Sequence, residues 1–395
     1  MEAGARSGWL WAGVLAAVVA VVVQSIHPPH GFDLAVYRMG AQSVLRGHAD
    51  KALYALRSPF GLAFTYPPLA AVLFAPLALA TLAVDKLVVI VLLGLATAGL
   101  WQVSLRAAGR RSGLLVVLPL TVASLLIEPV WLDFQLGQIS LVLVLMVVAD
   151  LAGGVPRPLR GILTGLAAAI KLTPLIFLVF LALTRQWRAL VTAAVTFVAA
   201  AALGLLLLPR ASWGFWTTYI HQTDRVGDGV RIDDQSVRGV LIRLGLAGHG
   251  LGADLVWLAA GGLLAAAAMA VGVLWWRRGE RLLGLCLAAL AGLFASPISW
   301  YHHWCWIIPL VVALTRISRV AAALSLVPFL VARRIAVADG WKSSVHHWDA
   351  LQQVVGNAYV WTGILVVAYA GWRLWRDRTR PRTTWTPGRE ESALA

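Results

Sequence analysis

Apolar residues in this chain come in long blocks separated by short polar or basic segments, with no sustained two-residue alternation. The blocks fall at 9–26, 66–83, 86–105, 113–127, 130–150, 161–171, 173–184, 189–208, 253–276, 281–295, 303–315, 320–336 and 358–375. Most approach the roughly 20 residues a helix needs to cross about 30 Å of hydrocarbon. Lipid offers no partners to backbone N–H and C=O groups, so such blocks must be helices. The pattern predicts an all-α polytopic membrane protein with about 11–13 transmembrane helices. Residues 1–378 form its single domain and 379–395 a disordered cytoplasmic tail. Basic residues at both chain ends predict cytoplasmic termini, hence an even number of crossings and at least one of the thirteen blocks short of a full one. The weakest are 161–171 and 173–184, each about a dozen residues and so too short to cross alone. They flank Lys171-Leu172-Thr173-Pro174 and predict a broken hairpin whose first half ends ahead of Pro174. The region 66–105 is the other doubtful place. Block 9–26 lacks a small-residue cleavage site and reads as a retained first span.

Composition supports this pattern. The chain has 395 residues, 60% of them hydrophobic and 13% charged, against about 45–50% and about 25% in soluble domains. A net charge of +15 raises nucleic acid as a partner. The placement of the charge excludes it, because the basic residues gather between apolar blocks, as at Arg110, Arg160, Arg185, Arg277 and Arg316, in the positive-inside pattern. Cys286 and Cys305 lie in or beside apolar blocks, with no metal spacing and no expected disulfide.

Three stretches lack basic clustering and are rich in polar and aromatic residues: 27–65, 209–252 and 337–357. By alternation they share the outer face with the junction Ser296 to Trp304. Loops this long in so apolar a protein point to function. Asp33 follows the first block in Phe32-Asp33-Leu34-Ala35-Val36-Tyr37 and reads either as a general base or as a helix N-cap. Phe64-Thr65-Tyr66-Pro67-Pro68 pre-sets a helix start. In Asp133-Phe134-Gln135-Leu136-Gly137-Gln138 the amides can bind sugar hydroxyls or neighbouring helices. Lys171, in an apolar stretch, reads as a phosphate ligand or as a snorkelling side chain. The pair Asp233 and Asp234 alone lacks the ligands for a metal. The densest constellation is Ser296-Pro297-Ile298-Ser299-Trp300-Tyr301-His302-His303-Trp304. An aromatic belt explains its Trp residues but not the paired His. His346-His347-Trp348 repeats the theme.

Together these stretches, with Leu136-Gly137-Gln138, Ile170-Lys171-Leu172-Thr173-Pro174 and Asp234-Gln235-Ser236-Val237-Arg238-Gly239, resemble glycosyltransferase family 87, the polyprenol-phosphate-mannose-dependent α-mannosyltransferases of actinobacteria. They run in family order over about residues 9–375; at Asp234 the family often has Asn. The resemblance implies the GT-C fold, a polyprenyl-phosphate-mannose donor, and inverting transfer to a mannosylated lipid or lipoglycan on the outer face of the plasma membrane, forming an α-(1→2) linkage. It implies Asp33 as base. Lys171, His302, His303 and Arg238 are then expected at the donor phosphate. Tyr37, Tyr66, Gln138, Gln235, Trp300 and Tyr301 are expected at the sugar or acceptor. No cofactor or metal is expected. The competing expectation is a lipid or sugar transporter of the cell envelope, which should show paired broken helices in two related halves.

Overall fold

A computed structural model describes residues 30–227, 231–246, 251–338 and 348–379, with a few positions between 11 and 19. Most of block 9–26, the pair His346-His347 and nearly all of the tail therefore lie outside the described residues. Helices dominate, and the described residues contain no strand beyond two isolated bridges, Arg57 with Ala63 and Asp234 with Trp300.

Three described helices are individually long and apolar enough to cross a membrane: Leu82–Ala107, Trp187–Leu207 and Asp254–Arg277. Two bent pairs reach the same length: Leu114–Leu126 with Glu128–Leu136, bent by 79°, and Ala350–Gly356 with Ala358–Asp377, bent by 71°. Block 130–150 is divided into Glu128–Leu136 and Ser140–Leu151, because Gly137 at φ 69 takes the left-handed conformation that ends a helix. Block 66–83 is not continuous either. Pro68–Leu73 gives way to a 3-10 turn at Ala75–Ala78, where Pro76 has no N–H to continue the ladder.

Exposure separates the helices by environment. Along Trp187–Leu207 only Ala189, Ala193 and Gly204 are buried. Its exposed face carries Val191, Val195, Val198, Leu203 and Leu206, a surface suited to lipid and not to water. Arg281–Ala295 is the opposite case, with twelve buried residues, and forms the centre of the main core.

The basic segments meet at one end of the bundle. Arg316 forms a two-pronged pair with Glu280 at 2.6 and 2.8 Å and donates to the Ala108 carbonyl at 3.1 Å. Arg373 donates to Ile317 O, Arg278 to Leu374 O, and Arg277 to Leu183 O. Helix C-termini leave carbonyls unsatisfied, and at Ala108 and Leu183 these guanidinium groups cover them.

Ile162–Ile170 and the segment Thr173–Leu183 run from that arginine-rich end to the opposite end and back, as the broken hairpin anticipates. The first half is capped from a distance. Asp150, fully buried, accepts from Gly161 N, Thr164 N and Thr164 Oγ1 at 2.7–3.0 Å. This satisfies orphan donors at the helix start and sets a negative charge at its positive end. The same half packs on Trp187–Leu207 through Gly161 and Gly165. A Cβ at Gly165 would stand 2.3 Å from the Ala193 carbonyl, so the two backbones touch through a small-residue seam.

Residues 30–65 and 209–219 are folded, not slack. They supply the helices Phe32–Leu45, Ala49–Ala52 and Pro209–Thr217. These share a second core that includes Tyr37, Tyr54, Phe64, Tyr66 and Phe215. Asp50 caps Pro209–Thr217 by accepting from Arg210 N at 2.6 Å.

Candidate active site

At the end opposite the arginine-rich loops, a cavity of about 1840 Å³ opens between the two cores. Asp33, Tyr66, Gln138, Lys171, Trp300, Tyr301, His302 and His303 all line it.

Asp33 is the second residue of Phe32–Leu45, and the N-cap is Gly31 in a left-handed conformation with φ 64. The N-cap reading of Asp33 is therefore replaced: its carboxylate makes no cap and lies on the cavity wall. The helix start is fixed by Gly31 N donating to Gln135 O at 2.9 Å. Gly137 has no Cβ to collide with Leu34, which would stand 2.8 Å away. This close approach brings Asp33 and Gln138 to one place. Phe32–Leu45 follows the first apolar block in sequence and is not among the helices long and apolar enough to cross a membrane. Burial there pushes the Asp33 carboxyl up to about 6, against the opposing pull of Lys171 and of a hydrogen bond from Gln138.

Lys171 owes its direction to the hairpin break. It ends Ile162–Ile170 with extended backbone, φ −145 and ψ 129. Its Nζ is 3.1 Å from His303 Nε2 and 5.7 Å from the centroid of the Tyr66 ring. An ammonium only donates, so His303 Nε2 accepts, and a neutral His303 carries its proton on Nδ1. His302 stands edge-on to His303, with ring centroids 4.6 Å apart, and its Nε2 is 3.4 Å from Gln138 Nε2. Gln138 also contacts the hydroxyl of Tyr66 at 3.3 Å and accepts from that of Tyr37. Tyr37 and Tyr66 are joined through their hydroxyls at 3.1 Å. Tyr37 itself is fully buried behind the wall and reaches the cavity only through these partners.

Two expected ligands stand elsewhere. Arg238 does not line the cavity; its guanidinium faces Asp254 at 3.8 Å. Gln235 is buried and bound to the backbone, donating to Gly356 O at 2.7 Å and Ile232 O at 2.9 Å and accepting from Tyr359 N at 3.2 Å. Their motif works as a bracket. Asp234 accepts from Ser299 N at 2.8 Å and from Ser236 Oγ at 2.8 Å, while Gln235 N donates to Ser299 O at 2.7 Å. Burial raises the Asp234 carboxyl to about 6, with Arg243 opposing. The bracket sets Trp300 and Tyr301 against the cavity and so positions the paired His.

Sequence reasoning missed Arg57, Arg225, Arg231 and Arg333, which also line the cavity. Arg57, Arg225 and Arg231 look like any solvated loop charge, and Arg333, beside Arg334 in the helix Arg319–Ala338, looks like one more basic helix residue, so no spacing signal singles them out. Cys286 and Cys305 are buried free thiols. Among the described residues, no three of His, Cys, Asp and Glu are grouped to hold a metal ion.

The arrangement offers a carboxylate able to take a proton, with an ammonium and two imidazoles facing the same space. That is the equipment for displacing a phosphate from a sugar carbon. The profile of glycosyltransferase family 87 matches residues 64–298. A relative from Mycobacterium tuberculosis (strain ATCC 25618 / H37Rv) is named polyprenol-phosphate-mannose-dependent alpha-(1-2)-phosphatidylinositol mannoside mannosyltransferase. It is 35% identical, with 94% of this chain and 93% of the relative covered. A relative of the same name from Mycolicibacterium smegmatis (strain ATCC 700084 / mc(2)155) is 32% identical, with 87% and 84% covered. A third, from Mycobacterium tuberculosis (strain CDC 1551 / Oshkosh), is named for a phosphatidylinositol pentamannoside and is 36% identical over 71% of this chain and 65% of its own. No solved structure matches. With more than half the chain inside the family match and near full-length similarity to its named relatives, this multi-pass helical protein belongs to glycosyltransferase family 87.

Proposed function

We propose that this protein transfers mannose from polyprenyl-phosphate-mannose to a phosphatidylinositol mannoside or related lipoglycan, with inversion and an α-(1→2) linkage, at the outer face of the plasma membrane. The observation that carries the reading is the convergence of Asp33, Lys171 and the adjacent His302 and His303 on one cavity, from three separate places in the chain. The names of the relatives supply the sugar and the lipid classes. The outer-face assignment rests on the cavity lying at the end away from the arginine-rich loops, which the positive-inside bias keeps in the cytoplasm.

In the step, an acceptor hydroxyl oxygen bonds to the anomeric carbon of the donor while the bond from that carbon to the phosphate oxygen breaks on the opposite face. The hydroxyl proton passes to Asp33. The electron pair leaves with the polyprenyl phosphate, whose charge Lys171 and the neighbouring His303 receive. The logic is that of an inverting glycosidase with a sugar hydroxyl in place of water. Tyr66, Gln138, Trp300 and Tyr301 form the wall against which the sugars bind. The fixed cation Lys171 answers the leaving-group charge, so turnover is expected to survive EDTA.

The test is purified protein in detergent with polyprenyl-phosphate-mannose and a panel of mannosylated phosphatidylinositols and lipoglycans, followed by linkage analysis. An α-(1→2)-mannosylated product is expected. Absence of transfer across the panel, or a retained β configuration, would overturn the proposal.

A further inference from the structure

The cavity is larger than the transfer of one sugar needs. Small-molecule pockets run to roughly 300–1,000 Å³, and this one holds about 1840 Å³. Four arginines line it besides the Lys171 centre, and they are not equivalent. Arg231 is neutralised by Asp233 at 2.6 Å and Arg333 by Glu128 at 2.7 Å. Among the described residues no carboxylate pairs with Arg225 or Arg57.

Arg225 is half-buried and held in a set orientation. Its guanidinium lies 4.8 Å above the Tyr219 ring and donates to the Tyr54 carbonyl. Tyr219 and Tyr54 stack at 4.6 Å, and the Tyr54 hydroxyl donates to Tyr66 O at 2.8 Å. Tyr66 in turn faces Lys171. A layer of tyrosines thus separates Arg225 from the Lys171–His303 pair. Arg57 follows Tyr54 by three residues on the same wall. A planar guanidinium fixed by stacking presents its remaining N–H groups as a fork matched to a phosphate.

We propose that Arg225, with Arg57 beside it, forms a second anion subsite that holds the phosphodiester of the lipid acceptor. The inference rests on the mannosyl-transfer reading and adds the group by which the acceptor is recognised. One phosphate, the donor's, goes to Lys171 and His303; the other, the acceptor's, goes to Arg225. The two cationic centres keep the lipids from exchanging places and leave the acceptor's mannose facing Asp33.

The experiment compares two acceptors with polyprenyl-phosphate-mannose as donor: a phosphatidylinositol mannoside and a neutral alkyl α-mannoside. The wild type is expected to favour the phosphodiester acceptor in kcat/KM. Arg225→Gln should lower that preference at least tenfold, with the loss in the KM of the charged acceptor and not in that of the donor. Arg57→Gln should act in the same direction by a smaller factor. It does not disturb the anchor on Tyr54, so it decides the matter if the Arg225 variant fails to fold. An unchanged preference in the folded variants, or a rise in donor KM, overturns the subsite. No transfer by the wild type to either acceptor overturns the mannosyl-transfer reading and this subsite with it.

Discussion

The two ends of the bundle use the same charged residues in opposite ways. At the arginine-rich end, Arg110, Arg277, Arg278, Arg316 and Arg373 spread over the surface and each is spent on a nearby carbonyl or carboxylate. At the cavity end, acidic and basic groups share one enclosed space. Asp33 and Lys171 come from distant segments, are drawn out of bulk water and face each other. Exposed pairs fix which loops meet, while enclosed charges that converge without full mutual cancellation remain available to a ligand. Count and sign of charge do not separate the two ends; burial and convergence do.

The sharpest way to break this contrast is Asp33→Asn. Loss of the base should lower turnover on the order of 10³-fold in folded protein, measured as mannose transfer by the purified variant. Retained turnover would remove Asp33 from the chemistry. Lys171→Met should come next, at about 10²-fold, with the defect in kcat as expected for charge that develops at the phosphate. The Asp33 carboxyl raised to about 6 gives the contrast a pH signature. The working form is the carboxylate, so activity should be half-maximal at pH about 6, rise to a plateau above it and approach a tenfold fall per unit well below it. A kcat/KM profile flat from pH 5 to 7 would contradict the assignment. Gly137→Ala puts a Cβ 2.8 Å from Leu34 at a positive φ of 69, a left-handed strain of about 1–2 kcal/mol. A displacement of a few tenths of an ångström at Asp33 should cost about tenfold in turnover. Smallest is Arg316→Ala at the other end. Its pair with Glu280 is 42% and 25% exposed, so thermal unfolding should register no more than about 1 kcal/mol and turnover should not change.

Much of the architecture was legible because lipid leaves the backbone few options. Leu82–Ala107, Trp187–Leu207 and Arg281–Ala295 follow the apolar blocks closely. The breaks were less legible. Pro174 announced its own, yet Gly137 looked like one more small residue in block 130–150, and only its φ of 69 reveals a helix end. At the site, Asp33, Lys171 and the paired His stood out as polar groups in costly surroundings. Arg238 and Gln235 were expected there only through the family resemblance, and adjacency in a motif does not say which side chain turns inward. Arg238 faces Asp254 and Gln235 holds backbone. Arg225 gave no signal, since its role depends on Tyr54 and Tyr219 arriving from elsewhere.

The seam at Gly161 and Gly165 gives the hairpin a mechanical property. From Gly165 to Lys171 is six residues, about 9 Å of helix, and the contact with the Ala193 carbonyl leaves no slack at the fulcrum. Any tilt forced there by an added methyl swings the tip of the lever, and the ammonium with it. The aim of a charge inside the cavity is thus governed by atoms that never meet a substrate.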